Sequence, residues 1–224
     1  MAKVPITYFS DVLCIWAFIA QRRVDEAKAT FDGQVAFEPR FCAVFGDTAR
    51  KIAAQWGARG GYDGFNAHLL QAAAAFPEAP VNPAIWRDVR PASSTGPHLF
   101  LKAAQLAERD GAIAPGAAER ATWALRRAFF EDARDIARWD VQCEAGRAAG
   151  VDPSAVESLI HDGRAFAALA TDYQDAAAMS IAGSPTFVLN DGRQKLYGNV
   201  GYRILEANIQ ELLREPHPDQ ASWC

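Results

Sequence analysis

Two strand-like runs separated by one helix-like run fix the start of this chain. Pro5 to Ser10 is apolar and β-prone, and reads as a buried, central first strand. From Leu13 to Phe31 the apolar residues Ile15, Phe18, Ile19 and Ala27 recur at helical spacing, with Arg22, Arg23, Asp25, Glu26 and Lys28 mostly opposite them. Asp32-Gly33 stops that helix, and Val35 to Phe41 alternates as a second strand. A strand, a crossover helix and a strand of these lengths close as a right-handed βαβ unit with parallel strands. Both strand C-termini then point to one edge, and Cys14 sits there, where the helix begins.

The middle of the chain, from Asp47 to about Ser180, turns to Ala-rich helix. Asp47-Thr48 caps a short helix ending at Gly57, and a second runs from Tyr62 to Phe76. A loop with Pro77, Pro80, Pro83 and Pro91 follows. Ser93-Ser94-Thr95 caps a helix through Ala107, with Pro97 tolerable in its first turn. Further helices are predicted at 116–132, 138–149, 153–161 and 164–179. Strand character returns at 184–190, Asp191-Gly192 signals a hairpin, and Gln194 to Tyr197 forms the return strand. An amphipathic helix from Tyr202 to Arg214 closes the order. The expectation is an α/β protein with a mixed sheet, βαβ then ββα. In it, residues 1–46 and 181–215 form one domain, 47–180 an inserted helical domain, and 216–224 a loose tail.

Composition narrows the function. Half of the 224 residues are hydrophobic, and the formal net charge is −4 with both signs mixed, so no nucleic-acid surface is expected. The longest apolar run, Val12 to Ala20, is too short for a membrane span of about 20 residues. Asp11 and Arg22-Arg23 flank it without a cleavage pattern, so the reading is cytoplasmic. The cysteines Cys14, Cys42, Cys143 and Cys224 have no metal or disulfide-framework spacing. No metal is expected, and the thiols should be free in a reducing compartment.

Cys14 is the main chemical candidate. The first N–H groups of a helix lack internal partners, and the macrodipole makes that end positive. Both favour thiolate, so an acidic, nucleophilic thiol is expected. The alternative is a buried cysteine packing as a small hydrophobe. Cys42 ends the second strand at the same edge. It is either a resolving thiol, if its Cα lies within about 7 Å of that of Cys14, or part of the core. Cys143 and Cys224 receive no role. Trp56, Trp86, Trp123 and Trp139 read as core or pocket lining, and Arg126, Arg127, Arg134 and Arg138 as a solvated helix face.

Asp11-Val12-Leu13-Cys14-Ile15-Trp16-Ala17 resembles the redox motif of DsbA-like thioredoxin-fold proteins. The branch it resembles holds FrnE, the 2-hydroxychromene-2-carboxylate isomerases and the kappa-class glutathione transferases. That motif reads Asp-x-x-Cys-Pro-Trp-Cys; here Ile15 replaces the proline and Ala17 the second cysteine. Gly183-Ser184-Pro185-Thr186 resembles the family's Gly-Val-Pro-Thr segment, whose proline is cis and packs against the active cysteine. The resemblance implies a thioredoxin fold with a large helical insertion between its second and third strands. It also implies Cys14 as the catalytic residue, with Trp16, Ser184, Pro185 and His98 binding substrate or glutathione. The backbone of Ser184 would be free to pair with an extended thiol substrate. His98, in a segment resembling the family's Asn-Thr-x-x-Ala-His, would stabilise the thiolate or act as acid/base; a solvent-facing ring is the alternative. Cys42 occupies a position resembling an apolar family position, which favours packing. A C-x-x-A site cannot close a disulfide on itself. The expected function is therefore a monothiol thiol-disulfide oxidoreductase with no covalently bound cofactor. Glutathione would be its co-substrate, and a small thiol or a protein disulfide its substrate. A glutathione-dependent isomerase or transferase and a catalytically degenerate binding protein stay open, as does a homodimer.

Overall fold

The computed structural model describes residues 3–214. The tail expected at 216–224, with Cys224, lies outside the described residues. The order is β1 (Val4–Ser10), α1 (Ile15–Thr30), β2 (Val35–Phe41), α2 (Thr48–Trp56), α3 (Gly61–Ala73), α4 (Thr95–Arg109), α5 (Ala117–Phe130), α6 (Trp139–Ala148), α7 (Pro153–His161), α8 (Arg164–Ala178), β3 (Thr186–Leu189), β4 (Gln194–Tyr197) and α9 (Tyr202–Leu213).

The strands form one sheet in the order β2-β1-β3-β4. β1 and β2 run parallel, in register from Val4–Val35 to Ser10–Phe41. β3 is antiparallel to β1, pairing Phe9 with Thr186, and β4 is antiparallel to β3. β1 is central because it is apolar on both faces. Ile6 and Tyr8 pack with Val24, Ala27 and Phe31 from α1 and its end, and with Leu205 and Ile209 of α9. Phe9 points the other way, to Ala176 of α8 and Val188 of β3.

Helix α1 lies between the sheet and the helices inserted after β2. Its second half covers the sheet. Its first half, with Ile15, Phe18 and Ile19, joins a larger core that includes Trp86, Phe129 and Phe130. Phe18 stacks on Phe130 at 4.8 Å and on Trp123 at 5.2 Å. A fully buried side chain of this size contributes roughly 1.5–3 kcal/mol. Such contacts fasten the helical block onto α1 and so fix the start of that helix, where Cys14 sits.

Some expectations change. α3 ends at Ala73, before Phe76, and Phe76 turns to meet Trp16 edge-on at 6.4 Å. The hairpin uses three left-handed residues, Asn190, Asp191 and Gly192, and not a two-residue turn. Trp139 is 41% exposed. Arg126 is not on a solvated face: it is 1% exposed, and its terminal nitrogens donate to Gln21 Oε1 (2.8 Å) and Ser10 Oγ (2.9 Å). Arg127 and Arg138 are exposed and Arg134 is half-buried.

Candidate active site

The β1–α1 loop is built on Asp11, which is fully buried. Its Oδ1 accepts from the Leu13 N–H (2.9 Å), and its Oδ2 from the Phe45 N–H (2.8 Å) and Ser94 Oγ (2.8 Å). Its own N–H donates to Ser184 Oγ (2.8 Å), and its carbonyl accepts from the Cys14 N–H (3.0 Å). One residue thus joins four segments distant in sequence. Ser94 is therefore no helix cap by its side chain: its hydroxyl goes to Asp11, while Ser93 Oγ accepts from the Thr95 N–H. Burial raises the Asp11 pKa to about 6, against the lowering effect of its hydrogen bonds from Phe45, Leu13 and Ser94.

Cys14 is the N-cap of α1, with extended backbone, and its carbonyl accepts from the N–H groups of Ala17 and Phe18. Its Sγ donates to the Ser184 carbonyl at 3.1 Å. The Ser184–Pro185 peptide bond is cis, and both residues are buried. The structure thus brings Cys14, Ser184 and Pro185 together. It changes two details. The Ser184 carbonyl is not free, because Cys14 occupies it. The thiol is not acidic either. Cys14 is 6% exposed, and burial pushes its pKa up. The Ser184 side chain and the N–H groups of Ala17 and Trp16 oppose that rise, while the Asp11 charge adds to it. The helix-terminus effect has the expected sign, and burial outweighs it.

His98, assigned to substrate, is corrected to a residue behind the loop. It is fully buried and stacks on Phe41 at 4.5 Å, 17° from parallel. Its Nε2 accepts from the Val12 N–H (3.1 Å), so Nδ1 carries the proton and donates to Tyr173 Oη (3.0 Å). Burial, then the charges of Arg126 and Lys102, lower its pKa to about 3. A neutral imidazole with both nitrogens engaged neither exchanges protons with substrate nor stands in solvent; it positions the loop. Trp16 is half-buried beside Phe76, two residues after Cys14. Ala17 is fully buried.

Cys42 is 5% exposed, with Sγ 3.9 Å from the Gly183 carbonyl. Burial, followed by the charges of Asp11, Cys14 and Asp172, pushes its pKa far up. Among the described residues no cluster of His, Cys, Asp or Glu could hold a metal, and no helix is long and apolar enough to cross a membrane. The site can do sulfur chemistry at one buried thiol beside a cis proline. Asp11 and Tyr173 escaped the sequence reading as partners of the site. The motif aspartate, three residues before the cysteine, was the only available sign.

Comparisons with known proteins bear on the fold. No curated protein sequence matches the chain. Several solved structures share the fold. A probable DsbA oxidoreductase from Streptomyces coelicolor is 21% identical over 99% of each chain, with a TM-score of 0.72. The cytosolic disulfide reductase DsbM from Pseudomonas aeruginosa, solved with GSH, is 21% identical over 92% of this chain and 100% of its own, at 0.67. A 2-hydroxychromene-2-carboxylate isomerase is 17% identical over 93% and 95%, at 0.61. The architecture is thus a thioredoxin fold with helices α2 to α8 inserted between β2 and β3. Residues 83–210 match the family model of the DSBA-like thioredoxin domain. That match and the buried Cys14 beside a cis proline identify the chain as a member of the DsbA-like thioredoxin domain family.

Proposed function

We propose that the protein is a monothiol thiol-disulfide oxidoreductase of the cytoplasm, with Cys14 as nucleophile and glutathione as co-substrate. The observation that carries this reading is the 3.1 Å contact between Cys14 Sγ and the carbonyl that precedes the cis Pro185. Trp16, Ser184 and Pro185 would frame the incoming sulfur. The Cys14 sulfur, once deprotonated, attacks one sulfur of a disulfide R–S–S–R′. A bond forms to R–S, and R′–S⁻ leaves and takes up the proton that Cys14 released. Because position 17 is alanine, no thiol follows one turn later. The thiolate of glutathione then attacks the R sulfur, giving R–S–S–G and restoring the Cys14 thiol; a second glutathione yields GSSG and RSH. The GSH in the DsbM structure supports this choice of co-substrate.

One observation favours a second reading, a glutathione-dependent isomerase or transferase. Cys14 is a protonated hydrogen-bond donor, as a serine hydroxyl would be, and could donate to the sulfur of bound glutathione. Cys14→Ser separates the two. Reduction of a small disulfide by glutathione, followed by GSSG formation, should vanish in Cys14→Ser if the sulfur is the nucleophile. Mass spectrometry after GSSG treatment should show one glutathione on Cys14. An adduct-free wild type and an active Cys14→Ser protein would transfer the argument to the second reading.

A further inference from the structure

We propose that the cleft between β2 and helices α1, α4, α5 and α8 binds a small organic acid, one carboxylate on a ring-sized apolar body, with Arg126 as its anchor. The cleft measures about 780 Å³, and Cys14, Trp16 and Pro185 do not line it. Its size lies within the roughly 300–1,000 Å³ of small-molecule sites. Val24, Phe37, Phe41 and Leu106 provide apolar wall.

The cationic side chains around the cleft other than Arg126 face carboxylates. Lys28 pairs with Glu119, Lys102 with Asp172, and Arg40 with Asp175. Glu108 accepts from the N–H groups of Gly116 and Ala118 at the start of α5. Glu38 is exposed. Among the described residues, no carboxylate lies within 4.0 Å of the Arg126 guanidinium, whose terminal nitrogens donate to the neutral Gln21 and Ser10. Its Nε is buried with no hydrogen-bond partner. The Tyr8 hydroxyl, also buried, faces that guanidinium closely enough for the interaction to oppose the rise of its pKa, and among the described residues it has no other partner. Burial raises the Tyr8 pKa to about 12, so the hydroxyl keeps its proton and can donate.

A buried arginine without a counter-charge is costly, and buried donors left unmade add to that cost. One negative charge with two acceptor oxygens meets both needs. A carboxylate suits the guanidinium fork and carries the single charge required. A phosphate dianion would leave one charge uncompensated. The apolar walls then select the body of the acid.

The test uses the full chain and benzoate as the probe carboxylate, with benzamide as its uncharged counterpart and inorganic phosphate as the competing anion. Benzoate should bind saturably and shift the Arg126 Nε–H and Tyr8 signals in NMR spectra, while benzamide should not. Arg126→Gln should weaken benzoate at least about tenfold, the loss expected for one charge-assisted hydrogen bond. Tyr8→Phe should weaken it less, and Cys14→Ala should leave it unchanged, so a failure of the thiol reading does not touch this one. Absence of saturable benzoate binding would overturn the proposal, as would equal binding of benzamide or displacement by stronger phosphate binding. Arg126→Gln that loses stability but keeps benzoate affinity would make Arg126 a brace only. Should that variant not fold, the Arg126 Nε–H shift and Tyr8→Phe in place of it decide the matter by the same criteria.

Discussion

Two buried groups 3.7 Å apart, His98 and Asp11, should give the protein opposing responses to acid. His98 falls from an ordinary 6.5 to about 3 on folding. The unfolded chain therefore binds that proton first, and stability falls as pH drops from 6.5 towards 3. The whole interval is worth on the order of 5 kcal/mol. Asp11 rises from 3.8 to about 6. The folded chain binds this proton first, and stability increases as pH drops from about 6 to 3.8, by on the order of 3 kcal/mol in full. Between about pH 7.5 and about pH 4.5, His98 removes roughly 3 kcal/mol and Asp11 returns roughly 2. The pair then leaves a net loss of roughly 1 kcal/mol in the wild type. Single variants expose each arm. Asp11→Asn should lose about 3 kcal/mol on acidification across that window, in addition to a pH-independent loss for the acceptor it no longer offers. His98→Gln should gain about 2 kcal/mol across the same window relative to its value at neutral pH. Urea unfolding at both pH values measures each change, and ionisations common to all three proteins cancel in the differences. If the wild-type-minus-variant difference is the same at both pH values for either substitution, the burial argument for that residue fails.

Other consequences are simpler to check. Ala17→Cys places a second thiol one turn from Cys14, so oxidation should remove two titratable thiols and allow disulfide reduction without glutathione. The site is fully buried, so the added sulfur should cost about 1–3 kcal/mol in chemical denaturation; no loss of thiols would contradict the placement. Gly64→Ala sets a Cβ 1.8 Å from the Arg59 carbonyl oxygen, a backbone clash that should lower the melting temperature by several degrees. An unchanged melting curve would mean the turn into α3 yields freely. Ser184→Ala removes a hydroxyl that lowers the Cys14 pKa, so alkylation of Cys14, followed by peptide mass spectrometry, should shift to higher pH. A shift to lower pH would reverse the assigned role of that hydroxyl.

The parts of this molecule that were legible in its sequence are those set by neighbours in the chain. The β1–α1–β2 unit follows from period and length, and Cys14 at the start of α1 follows from where the period changes. Beyond Cys14, the site was legible only as a resemblance at two short segments, and the bonds of its interior were not legible. Asp11 is held by Phe45, Ser94 and Ser184, which lie 34, 83 and 173 residues away. No local pattern announces those bonds. Arg126 sits next to Arg127, and a pair of arginines on a helix reads as surface. Its burial depends on Gln21 and Ser10, 105 and 116 residues away. The acidity expected of Cys14 was a local inference with the right sign, reversed by packing that only the complete fold supplies.

Ser184 ties the state of the Cys14 sulfur to the state of its backbone. As a thiol, Cys14 donates to the Ser184 carbonyl. As a thiolate it has no proton to donate, and a negative sulfur facing a carbonyl oxygen at that distance is repelled. The groups that lower its pKa are all donors: the Ser184 side chain and the N–H groups of Ala17 and Trp16. Loss of the proton therefore moves the favourable contacts from the carbonyl to those donors. If Cys14 is the proposed nucleophile, the carbonyl would be released as the thiolate forms. An extended substrate that pairs its own N–H with the Ser184 carbonyl competes with the thiol for that acceptor, and so favours the deprotonated sulfur. Under the proposed function, activation would thereby be coupled to occupancy: a thiol raised by burial would stay inert alone and act on a bound disulfide.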